Sequence, residues 1–279
     1  MPQQISSARK WFLLTLGLSG LFLIYTAVYA TGVLDVSTLS VEHWLLNRPI
    51  GGLDCVFFEW RHVGDVPASL FLVLALSIVC WRAGYSWKAI PVMLVLFLFC
   101  VSVEYIGKEV FALSLAPRLV SGMEGLACPQ MQKEPTSVRL ETMAGLWWKI
   151  PNPVGGQVSF VHEVAQRSLA SLPVYPLEKE RTYPGGHAAR WCFLCLIAAW
   201  LCWKHVRYRV GHMTLTILFL LASFFGGFMQ FYIGAHFITD TIAGYLLGAA
   251  AACCAIGFLI QYDTEVRNAS ILRDLPLII

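Results

Sequence analysis

The chain has 279 residues, 57% of them hydrophobic and only 13% charged, against about 25% charged in soluble domains. With a mean hydropathy of +0.64, this composition excludes a soluble globular enzyme and a disordered tail protein. A net charge of +3 is too slight a surplus over this length to hold a phosphate backbone, which excludes a nucleic-acid binder.

Taken in chain order, six apolar runs cover residues 11–33, 66–83, 89–107, 188–203, 213–233 and 241–261. Crossing a bilayer takes about 20 such residues. The runs predict an all-α polytopic membrane protein, six transmembrane helices in one bundle, with residues 1–279 forming one membrane-embedded domain. Val28 and Ala30 resemble a signal-peptidase site, but the first run is longer than a signal peptide's apolar core, so it reads as an uncleaved span. Of nine cysteines, Cys80, Cys100, Cys192, Cys195, Cys202, Cys253 and Cys254 lie inside apolar runs, where a free thiol packs as a small hydrophobe. The Cys192/Cys195 pair has no second pair to complete a metal site and reads as packing.

Basic residues accumulate in short cytoplasmic loops. Arg9 and Lys10 precede the first run, Arg82 and Lys88 lie between the second and third, Lys204, Arg207 and Arg209 follow the fourth, and Arg267 and Arg273 follow the sixth. Six spans put all four segments on one face, which predicts cytoplasmic termini. The other face receives a cap over about 119–183, long for a connection without its own function. Within it, 136–149 and 157–171 predict amphipathic helices at the interface, with Trp147 and Trp148 at headgroup depth.

Ionisable residues at the ends of apolar spans are costly, so their positions carry information. Lys108 ends the third run, His187 and Arg190 open the fourth, and His236 and Asp240 lie between the fifth and sixth. All fall on the non-cytoplasmic side of the predicted topology. His236 and Asp240, four residues apart, share a helix face. Asp240 there can fix the imidazole tautomer and leave the other nitrogen nucleophilic; alternatively Thr239 or Asp240 caps the helix, or the pair shares a metal.

In "RTYPGGHAARWCF" Gly185 and Gly186 precede a helix whose first turn holds His187. This pattern reads as an anion site at a helix N-terminus beside a proton donor, or as an ordinary loop-to-span turn. Lys108 and Arg118 would lie about 15 Å apart on a continuous helix. Pro117 predicts a helix end near Ala116 that lets Arg118 fold back. Two such cations suit a phosphoryl group, or they snorkel to the headgroups.

This order of residues resembles the type 2 phosphatidic acid phosphatase superfamily of membrane lipid phosphatases. That family has three motifs: Lys, six residues and Arg-Pro; Pro-Ser-Gly-His; and Ser-Arg, five residues, His, three residues and Asp. The stretch "LDCVFFEWRHVGD" is similar to the family's approach to its second span, and the resemblance covers about residues 34–118 and 181–250. It implies that His236 attacks phosphorus to form a phosphohistidine, that Asp240 orients it, and that His187 protonates the leaving group and then serves as base toward water. Lys108, Arg118, Gly185 and Gly186 would hold the phosphate oxygens, and neither a metal nor a cofactor is implied.

The sequence departs from the family in three places. Nine residues separate Lys108 from Arg118 with the proline ahead of the arginine, Gly185 stands for the motif serine, and Gln230 stands where an arginine is expected, six before His236. Arg190 or Arg181 would then supply the missing cation. Arg181 ahead of Gly-Gly-His, with "GAHFITD", is similar to the lipid A phosphotransferase branch.

The expected function is an integral membrane lipid phosphatase acting on a lipid phosphate or diphosphate at the outer face of a bacterial inner membrane. Polyprenyl diphosphate is the first expected substrate, with phosphatidylglycerol phosphate and lipid A behind it. One alternative is a phosphotransferase moving phosphate from polyprenyl diphosphate to lipid A. The other is a transporter or structural membrane protein whose polar residues line a pathway, although the sequence has no inverted repeat.

Overall fold

The computed structural model describes residues 2–34, 37–38, 41, 56–57, 60–111, 182–233 and 235–273. The expected segments 136–149 and 157–171, Arg118, Arg181 and nearly all of the cap lie outside the described residues. Six long helices account for most of the rest: α1 (Pro2–Ala30), α2 (Val66–Arg82), α3 (Ala89–Val110), α4 (Gly186–His205), α5 (Arg209–Tyr232) and α6 (Ile238–Arg273). A 3-10 turn over Arg61–Gly64 leads into α2. No strand occurs among the described residues.

Segments of α1, α3, α4, α5 and α6 are long and apolar enough to cross a membrane; α2, at 17 residues, is a shorter apolar helix. Pro67 sits in the first turn of α2, where no intrahelical N–H is needed. The helix stops at a Schellman cap: Tyr85 N–H bonds the Cys80 carbonyl at 3.2 Å and Gly84 N–H that of Trp81 at 3.0 Å. The cap needs a left-handed residue, and Gly84 supplies it at φ +97°. Helix α3 ends at Val110 with Phe111 N–H on the Gly107 carbonyl at 2.8 Å, six residues short of the end expected near Ala116. The ψ of +34° at Phe111 leaves helical geometry before Pro117 is reached.

Helices α4 and α6 are the most enclosed. Apolar burial does not drive helix association in lipid, so close approach through small residues does. A Cβ on Gly244 would clash with the Gly185 carbonyl, and one on Gly248 with that of Ala189. These glycines, four apart on α6, let the two backbones touch. Around this pair, α1 packs on α6, α5 on α4, and the α2–α3 hairpin covers the remaining side. On α3 the buried positions Ala89, Met93, Phe97, Cys100 and Glu104 recur every three or four residues, one helix face. Its apolar stripe thus finishes in a carboxylate.

Contacts sort the helix ends into two groups. Lys204 meets Asp263 at 3.4 Å and Tyr85 meets His205 at 2.9 Å at one end. At the other end, the Arg61–Gly64 turn, the last turn of α3, the start of α4 and the α5–α6 turn converge.

Candidate active site

Helix α5 gives way to α6 through a tight turn organised by Gln230. Its carbonyl accepts from Ala235 N–H at 2.9 Å and His236 N–H at 3.2 Å. His236 is thereby held at the mouth of α6, 8% exposed above a fully buried Asp240. Asp240 Oδ2 accepts from Phe237 N–H at 3.1 Å and lies 3.8 Å from His236 Nδ1. The aspartate therefore caps α6 from its first turn, as in a capping box, and faces the imidazole at ion-pair distance. The cap is formed by the aspartate's hydrogen bond, whereas His236 Nδ1 has no hydrogen-bond partner among the described residues. With Nδ1 turned toward Asp240, Nε2 is the nitrogen left for other chemistry.

The turn before α4 is tied directly to this helix. Gly185 N–H donates to the Asp240 carbonyl at 2.8 Å, and a Cβ on Gly185 would stand 2.9 Å from that oxygen. Preceding Tyr183 is 1% exposed, stacked on Tyr29 of α1 with centroids 4.1 Å apart and 2.6 Å from Thr26 Oγ1. Burial pushes its phenol up to about 12, so it stays neutral. Helix α1 thus clamps the turn that carries the two glycines.

His187 sits where these elements meet, its ring centroid 6.5 Å from that of His236. Arg190 Nη2 lies 3.5 Å from His187 Nδ1. The other ring nitrogen, Nε2, faces acceptors only and so carries a ring proton. That nitrogen faces the Arg61 carbonyl at 3.1 Å and Asp65 Oδ1 at 3.3 Å; Asp65 Oδ2 in turn meets His62 Nδ1 at 3.0 Å. A Cβ on Gly64 would clash with the His187 ring, which explains glycine there.

Sequence reasoning missed Glu104. Its carboxylate is 7% exposed and joins two cations: Oε1 takes Lys108 Nζ at 2.6 Å and Oε2 takes Arg190 Nη1. It packs flush against Gly186, where a Cβ would clash with the carboxylate. The signal was present, since Glu104 stands four residues before Lys108 on the same face and deeper in an apolar run. Asp65 was likewise readable as a carboxylate at the start of a span.

The structure brings together His187, His236, Asp240, Lys108, Gly185, Gly186, Gln230 and Arg190. Arg190 is 3% exposed, with Nε on the Gly64 carbonyl at 2.7 Å and its other nitrogens on Glu104 and His187. It backs the histidine rather than facing an opening. The side-chain nitrogen of Gln230 is buried without a hydrogen-bond partner among the described residues. Within this cluster, Lys108 and Arg190 share the single carboxylate of Glu104. Among the described residues, no three His, Cys, Asp or Glu converge as metal ligands would.

Residues 142–262 match the family model of the PAP2 superfamily. The match takes in the Gly-Gly-His and His-Asp motifs and reaches into the cap segment, where the motif resemblance has no counterpart. No curated protein sequence matches the chain at a comparable level. Among solved structures, it is similar to a transmembrane PAP2-type phosphatidylglycerolphosphate phosphatase from Bacillus subtilis, with a TM-score of 0.54 and 16% identity, covering 88% of this chain and 94% of that one.

Proposed function

We propose that this chain, matched to the PAP2 superfamily over residues 142–262, is an integral membrane lipid phosphatase working through a phosphohistidine. The observation that carries the reading is the approach of the two histidine rings to 6.5 Å, one of them faced by a buried aspartate. His236 Nε2 attacks phosphorus while Asp240 holds Nδ1 and offsets the charge that develops on the ring. The bond from phosphorus to the lipid-side oxygen breaks, and that oxygen takes a proton from protonated His187. Water then attacks the phosphohistidine, giving its proton back to His187 and releasing inorganic phosphate.

Lys108, the Gly186 amide, Arg118, and Arg181 from the cap hold the phosphate oxygens, where charge stabilisation contributes most, while the Gly185 N–H, expected to join them, is taken by the Asp240 carbonyl. Gln230 offers a neutral donor at the position of the family's arginine, and Arg190 serves through His187. With α2 as a sixth span, both termini are cytoplasmic and the site opens on the outer face of a bacterial inner membrane, its lipid tail remaining in the bilayer. Polyprenyl diphosphate is the preferred substrate, and phosphatidylglycerol phosphate, the substrate for which the similar Bacillus subtilis enzyme is named, is the second.

A second reading replaces water with a lipid acceptor such as lipid A, supported by Arg181 ahead of the Gly-Gly-His turn. The test is phosphate release from polyprenyl diphosphate, phosphatidylglycerol phosphate and phosphatidate in detergent with EDTA, for wild type beside His236→Ala. Release by wild type and background in the variant is expected. Release that survives His236→Ala overturns the mechanism. Phosphate appearing only on added lipid A selects the transferase.

A further inference from the structure

We propose that Glu104 is a positioning residue for this reaction, fixing through one buried carboxylate both Lys108, which meets phosphate, and Arg190, which sets the ring of His187. This rests on the phosphatase reading above and goes beyond it, since nothing in the family motifs calls for an acid at this place.

The carboxylate is expensive where it stands. It ends the buried stripe of α3, 7% exposed, in a part of the bundle where an apolar side chain would pack without desolvation cost. Its two oxygens are divided between partners on two helices: Oε1 to Lys108 at 2.6 Å, Oε2 to Arg190 of α4. Arg190 is held from the opposite side by the Gly64 carbonyl at 2.7 Å, so its guanidinium is fixed at both ends. Its remaining nitrogen reaches His187 Nδ1 at 3.5 Å.

A continuous chain therefore runs from Glu104 through Arg190 to the imidazole. Arg190 lies against the Nδ1 edge of the ring and so keeps Nε2, the nitrogen that must deliver a proton, turned to the Arg61 side. Gly186 completes the device: only a residue without Cβ lets the α4 backbone lie against the carboxylate. Without Glu104, a buried guanidinium loses its counter-charge and turns, and the histidine loses the group that lies against its Nδ1 edge. Lys108 loses the anchor that aims its flexible stem.

The division of labour predicts a signature that simple unfolding would not give. Turnover of phosphatidate, whose alkoxide leaving group needs a proton, is compared with that of p-nitrophenyl phosphate, whose phenolate does not. In Glu104→Gln, kcat for phosphatidate is expected to fall about 100-fold and that for p-nitrophenyl phosphate less than tenfold, with KM raised for both. Equal losses on both substrates, or wild-type values, overturn the proposal.

A second variant, Glu104→Met with Arg190→Met, removes both charges and leaves neither buried alone. It is expected to fold and to show the same split, and wild-type turnover of phosphatidate by it overturns the proposal. Histidine side-chain 15N NMR of the full chain gives a readout independent of turnover. The His187 Nδ1 signal should differ between wild type and Glu104→Gln, because Arg190 lies against that nitrogen; an unchanged signal overturns the positioning role. If wild type releases no phosphate, the phosphatase reading fails by itself, and the NMR comparison still decides whether Glu104 sets His187.

Discussion

Gly186 shows how one missing methyl group decides the site. Its neighbour across the helix interface is the Glu104 carboxylate, which a Cβ would strike, and that carboxylate is anchored on two cations. Gly186→Ala is therefore expected to lower stability by about 1–3 kcal/mol, the usual cost of overpacking, and to reduce turnover with it. Gly17, where an added Cβ would have nothing within 4 Å, is the control: Gly17→Ala should be neutral or slightly stabilising. Thermal unfolding in detergent, with turnover on the same samples, checks both. Equal melting temperatures for Gly186→Ala and Gly17→Ala would contradict the packing. His187, His236 and Asp240 were legible in the sequence because charge and imidazole stand out against apolar runs. Arg190 was legible as a residue but not in its direction, which follows from the rotation of α4 against α3.

Between elements, the clamp of α1 on the Gly185–Gly186 turn is the contact most open to test. Tyr183 stacks on Tyr29 and shares a 2.6 Å hydrogen bond with Thr26. Tyr183→Phe keeps the stack and removes the bond, so a loss of about 1 kcal/mol is expected. Thr26→Val should cost a similar amount, and the double variant should cost clearly less than the sum, since the two hydroxyls share one interaction. Strict additivity of the three melting shifts would mean that the bond is not formed. The close approach of α6 to α4 belongs to the same scale. Gly244 and Gly248 stand four apart in the sequence, but which helix they admit is decided by tertiary contact. That contact carries the Gly185 N–H onto the Asp240 carbonyl.

For the whole molecule, the two groups of helix ends place Trp60, 61% exposed, at the candidate active-site end and Tyr208, 83% exposed, at the other. In a background with Cys55 and Cys128 replaced by serine, a membrane-impermeant thiol reagent on intact cells should label Trp60→Cys and spare Tyr208→Cys until the cells are opened. The reverse pattern would invert the proposed orientation. The sequence by itself determined the helical membrane architecture, because a bilayer demands about 20 apolar residues per span and penalises every unpaired charge. It also singled out ionisable residues that the structure gathers at one end of the bundle, because charges in such runs are costly to place. Only the tertiary structure decided that α3 stops at Val110, that Arg190 backs a histidine, and that Glu104 joins Lys108 to Arg190. These depend on how far apart helices pack and which way each face turns, quantities set by glycines and ion pairs distant in the chain.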